Sequence, residues 1–139
     1  MPHDADGVER VPEGLTLPPA EALIEAQLLF DHGRPFHAHE VLEGTWKAAP
    51  AEERDLWQGL AQLAVGLTHA MRGNTTGAVS VVSRGRDRIA GYADAPPYGI
   101  GVVGLMAWVD QLLTVLAERA DDPPGGFSPP QLRRPDSLP

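Results

Sequence analysis

The stretch Leu56–Met71, LWQGLAQLAVGLTHAM, decides the fold. Leu56, Leu60, Leu63, Leu67 and Met71 recur at helical spacing and make one apolar stripe. Gln58, Gln62 and His69 gather with Val65 on nearly the opposite side of the same wheel. A solvent-facing side would carry Lys, Glu, Asp or Arg, and none occurs here. A helix uncharged all round is one buried all round. Gln58, Gln62 and His69 are therefore expected inside, each with a hydrogen-bond partner, because an unpaired buried polar group costs about 1–3 kcal/mol.

Upstream lies Phe36–Trp46, FHAHEVLEGTW. His39, Glu43 and Trp46 share one side of this helix, at the edge of its apolar face. His39 and Glu43 stand four residues apart, so their side chains can touch. Glu40 is turned further toward solvent, beside Lys47, and His37 and Gly44 mark the solvent side. The expected partners of Gln58, Gln62 and His69 are His39 and Glu43, giving one semi-buried His/Glu/Gln cluster between the second and third helices.

Working outward, the pattern predicts five helices and no strand. The first spans about 18–32, with Leu23, Ala26, Leu29 and Phe30 on one face and Gly33 as its stop. The second spans 35–48, opened by Pro35, whose missing N–H costs nothing in a first turn, and closed before Pro50. The third spans 51–72, with Glu52 and Glu53 suiting the positive end of the helix dipole. Asn74 is the expected N-cap of the fourth, 75–92, whose apolar stripe is Ala78, Val79, Val82 and Ile89. The fifth spans 102–120, with Val102, Leu105, Val109, Leu112 and Leu116 in line. Short connections make sequential helices antiparallel neighbours. The fold class is all-α, a single-domain bundle at 18–120. Residues 1–17 are expected to be a flexible arm, and the proline-rich 121–139 a disordered or draped tail.

Composition narrows the function classes. The chain has 139 residues, no cysteine and a net charge of −8. Disulfides, thiolate metal sites and a cysteine nucleophile are excluded. The negative charge disfavours a nucleic acid partner, and Arg84, Arg86 and Arg88 read as a solvated helix face. No apolar run is long enough to span a membrane, and the polar, acidic start does not resemble a signal peptide, so a cytoplasmic location is expected. Trp57 and Trp108 read as core or interface aromatics. The run GIGVVG, 99–104, follows no strand and has the wrong spacing for a dinucleotide loop.

Three readings of the cluster compete. It is an internal polar network that sets helix register. It lines a pocket for a small molecule, with His39, Glu40, Glu43, Trp46, Gln58, Gln62 and His69 around it; in an enzyme, His39 would be the general base and Glu43 its orienter. Or it holds a divalent metal through His39, Glu43 and His69. The zincin pattern breaks because Glu43 stands where a second His is needed, and the Glu-x-x-His spacing of di-iron bundles is absent.

The same residues carry a resemblance. Ala38-His39-Glu40-Val41-Leu42-Glu43-Gly44-Thr45-Trp46, then Gln58-Gly59-Leu60-Ala61-Gln62, then His69-Ala70-Met71-Arg72-Gly73-Asn74-Thr75-Thr76-Gly77-Ala78 resemble the successive motifs of domain-of-unknown-function family 309. The likeness covers about 20–118. It implies an all-α fold and supplies no activity. The functional expectation is a small-molecule or metal-ion pocket at the cluster. The alternative is a non-catalytic interaction or scaffold module, such as a homodimer formed through an apolar helix face.

Overall fold

Proline and glycine punctuate the chain into five helices. The computed structural model describes residues 16–118 and 126–134. Helices α1 (Pro19–Asp31), α2 (Pro35–Ala48), α3 (Arg54–Met71), α4 (Thr75–Ala90) and α5 (Val102–Glu118) follow in order. Single 3-10 turns occupy Ala51–Glu53 and Pro97–Gly99. The expected third helix thus splits: residues 51–53 wind more tightly before α3 starts at Arg54. Asn74 caps α4 as expected, its Oδ1 accepting from Gly77 N at 3.0 Å. The turn before it needs Gly73, at φ +81°, a region that favours glycine.

Each helix packs against the next in sequence, and α3 against α4 is the closest pair. The reason is a seam of small residues. A Cβ on Gly66 would collide with the Val82 side chain, and one on Gly85 would sit 2.9 Å from the Gly59 carbonyl. The two backbones can approach this far only because those side chains are missing. α3 supplies much of the core through Leu56, Trp57, Leu60, Leu63 and Leu67, all buried. The apolar lines read from sequence on α1 and α5 are buried throughout. Two stripe residues are not: Val79 and Met71 are exposed.

Among the described residues there is no strand, only an isolated antiparallel bridge between Ile100 and Arg133. Residues 126–134 form an extended strap over α1 and α5. Gln27 on α1 bonds Pro130 and Leu132, Trp108 on α5 bonds Ser128, and Leu132 is 1% exposed. Of the tail expected at 121–139, the described part is draped. The expected arm, 1–17, lies almost wholly outside the described residues.

A clasp joins the two 3-10 turns. The carboxylate of Glu53 accepts from the Trp57 indole at 3.1 Å and from the Tyr98 hydroxyl at 3.1 Å. Tyr98 holds φ +58°, an outlier for a bulky side chain, so the clasp works against local strain. Burial first, then the hydrogen bond to Glu53 and its negative charge, push the Tyr98 phenol above its ordinary value.

Candidate functional site

The polar residues of α3 and those of α2 have different partners. Helix α3 lies between α2 and α4, so its wheel has two neighbours. Gln62 is half-buried and turns to α4, where Arg88 Nε donates to its Oε1 at 3.1 Å. Arg88 continues to Asp55 at 2.9 Å, tying the two helices at the end away from their turn. His69 is half-buried at the α3 C-terminus, with Nδ1 3.2 Å from the Asn74 side-chain amide. Gln58 is also half-buried.

These positions correct the single-cluster expectation. None of Gln58, Gln62 and His69 bonds to His39 or Glu43 among the described residues; Gln62 instead takes its partner from α4 and His69 from the turn before it. The helix is also not buried all round: Gln58, Gln62, Val65 and His69 form a half-buried strip. Hydrogen-bonding capacity on an uncharged strip at the edge of solvent was mistaken for interior position.

On α2 the expected pair forms. His39 Nε2 lies 3.4 Å from Glu43 Oε2, within ion-pair range but longer than an ordinary N–H···O hydrogen bond. Lys47 approaches the other oxygen of Glu43 at 3.6 Å. Glu40 and Trp46 are half-buried. Phe36, 44% exposed, places its ring centroid 5.6 Å from that of His39. The Arg72 guanidinium reaches across from the end of α3 to 5.9 Å from the same Phe36 ring. Phe36 thus lies against His39 and carries Arg72 over its ring, where α2 meets the end of α3.

His39 Nδ1 is one of three buried side-chain atoms without a hydrogen-bond partner among the described residues, with Arg86 Nε, which lies 2.9 Å from the Asp110 carboxylate, and Arg133 Nε. A neutral ring that carries its proton on Nε2 leaves Nδ1 as a bare acceptor. A proton on Nδ1 would create a buried donor with nothing to receive it, which is the costlier state. The pair can therefore accept a hydrogen bond from an incoming group. Action as a general base additionally requires Phe36 or its neighbours to move, since Nδ1 is closed to solvent.

Among the described residues no group of three or more His, Asp or Glu side chains is arranged to hold a metal ion. His39 and Glu43 adjoin, but His69 lies by Asn74 and does not complete a triad.

An apolar cleft of about 260 Å³ opens elsewhere, lined by Phe30, Pro35, Leu67 and Met71 together with Phe127 and Pro129 of the strap. None of the seven residues expected to line a pocket borders it. Sequence reasoning missed this cleft, the Glu53 clasp and the strap contacts. The Glu53–Trp57 spacing of four could have pointed to the clasp; no sequence signal links Gln27 to Pro130.

Residues 23–81 match the family model described as a domain of unknown function, DUF309. The resemblance read from sequence holds over that span, shorter than the expected 20–118, and all three quoted motifs fall inside it. A 44-residue stretch is 50% identical to the uncharacterized protein YpuF of Bacillus subtilis (strain 168), covering 31% of this chain and 25% of that protein. The chain thus aligns with about a quarter of the length of this relative. No solved structure matches. No described helix is long and apolar enough to cross a membrane.

Proposed function

We propose that the α2 face around His39 and Glu43 binds a small polar molecule that brings a hydrogen-bond donor, an amine, amide or hydroxyl, to His39 Nδ1. The orphaned Nδ1 carries this reading. Native proteins pair nearly all their buried polar atoms, and an exception marks an absent ligand or water. Glu43 suits a ligand that carries positive charge, and the exposed Phe36 ring borders His39. Gln58, Gln62 and His69 are outer groups in this reading, and Glu40 and Trp46 edge residues.

The test is a long-range proton–nitrogen spectrum of the histidine rings. Nδ1 of His39 should resonate as a bare nitrogen in the free protein. It should move on titration with ethanolamine, which offers both donors. The reading fails if Nδ1 is already protonated or hydrogen-bonded in the free protein, or if ethanolamine leaves it unmoved.

A second reading has its own observation. Ile24 and Leu28, four residues apart on α1, are 54% and 49% exposed. A self-association or scaffold role through this stripe predicts that Leu28→Glu abolishes a dimer seen by sedimentation; a wild-type monomer at all concentrations removes it.

A further inference from the structure

The strap closes one side of a cleft of about 260 Å³. The walls are Phe30 of α1, Pro35 at the start of α2, Leu67 and Met71 at the end of α3, and Phe127 and Pro129 of the strap. The strap walls are fixed in place: the Gln27 amide donates to Pro130 O at 2.9 Å, and the Trp108 indole to Ser128 O at 2.9 Å. Phe30, Pro35 and Leu67 are buried, whereas Met71, 42% exposed, meets solvent at the mouth. Each of these side chains is apolar, so water in the cleft finds few partners and a hydrocarbon group is preferred. At about 30 Å³ per water-sized group, the space admits roughly eight or nine non-hydrogen atoms. That suits a short aliphatic chain and falls below the about 300–1,000 Å³ of pockets for drug-sized molecules.

Charge at the mouth selects one kind of chain. Pro35 and Met71 line the cleft, and their sequence neighbours Phe36 and Arg72 meet beside it, the guanidinium 5.9 Å from the ring centroid. Arg72 is exposed and makes no ion pair with a carboxylate among the described residues. No acidic side chain lines the cleft, and none stands in the first turn of α2. Asp31, which follows Phe30, accepts from Gln27 on its own helix at 3.0 Å. The net charge of −8 works against any anion at long range, but salt screens charges beyond about 8 Å, so the neighbouring guanidinium decides. We infer that the cleft binds a small aliphatic carboxylate, with a chain of about six to eight carbons against Phe30, Leu67 and Phe127 and the carboxylate at Arg72. Met71 suits the mouth, because its unbranched thioether adapts to what it touches. This site is separate from His39 Nδ1, and neither reading depends on the other.

Full-length protein with labelled methyl groups reads the site directly. Octanoate should shift the Met71 and Leu67 methyl resonances with half-saturation on the order of 1 mM, and leave those of exposed Ile24 and Leu28 unmoved. Each methylene removed, from octanoate through hexanoate to butanoate, should weaken binding about fourfold. Among six-carbon ligands, hexanoate should bind more tightly than hexanol, and hexylamine least. Arg72→Gln should weaken hexanoate about threefold, as expected for an exposed ion pair, and leave hexanol unchanged; Arg72→Lys should restore most of the loss. The proposal is overturned if octanoate at roughly ten times that concentration moves neither methyl. It is overturned equally if the shifts spread to Ile24 and Leu28, or if Arg72→Gln binds hexanoate and hexanol in the wild-type ratio.

Discussion

The α3–α4 seam and the outer face of α2 both place polar groups at the edge of the core, and they end differently. At the seam, glycines bring two backbones together, and Gln62 is matched to Arg88 and Arg88 to Asp55. On α2, His39 finds half a partner in Glu43 and leaves Nδ1 with none. A matched polar group has its burial cost offset by its partner. An unmatched one costs stability and keeps a bond in reserve. Side-chain chemistry alone does not tell which polar residues find partners here; the neighbours across space do.

The seam breaks most visibly at its closest approach. Gly66→Val should cost about 3 kcal/mol, because the new side chain meets Val82 from the facing helix, where overpacking cannot relax without parting the pair. A denaturant midpoint lowered at unchanged slope would report it. Next comes the polar contrast. Arg88→Ala strands half-buried Gln62 and should cost about 1 kcal/mol. His39→Leu should cost less than about 0.5 kcal/mol or stabilise, since it removes an unsatisfied atom. If His39→Leu proves the costlier, His39 is a structural residue and the contrast collapses. Gly44 sharpens the comparison from the other side: it lies mid-helix with open space around it, so Gly44→Ala should gain about 0.5–1 kcal/mol, measured by the same midpoint.

The smallest effect concerns the clasp. The folded state raises the Tyr98 phenol, so it favours the protonated form. Its contribution is complete below about pH 10 and is lost as pH rises through the raised folded value. Stability of the wild type should therefore fall more steeply above that pH than stability of Tyr98→Phe. Parallel pH curves would show that the clasp does not couple to folding.

Helix existence was open to direct reading because its signals are local. Pro35 and Pro50 bound α2, and Asn74 three residues before Gly77 caps α4. The failure of the α3 reading has a clear cause. A wheel shows which residues share a side of a helix, yet it cannot say which neighbour stands across from that side. Gln62 was assigned to α2 and pairs with α4, which offered Arg88. The Arg84, Arg86 and Arg88 run was read as solvated, but Arg86 and Arg88 tie α4 to α5 and α3 through Asp110 and Asp55. The strap was legible only as proline-rich: an extended segment makes its bonds to distant residues, and Gln27 lies 103 positions from Pro130.

By itself the sequence determined the number, type and most limits of the helices, and the His39–Glu43 contact, because helical periodicity, caps and four-residue spacings act within one element. Only the tertiary structure decided which polar groups were satisfied, which neighbour each helix face met, and where the strap lay. Those outcomes depend on what each surface meets across space, and burial attaches a cost or a reserve to a polar atom only once its neighbours are in place.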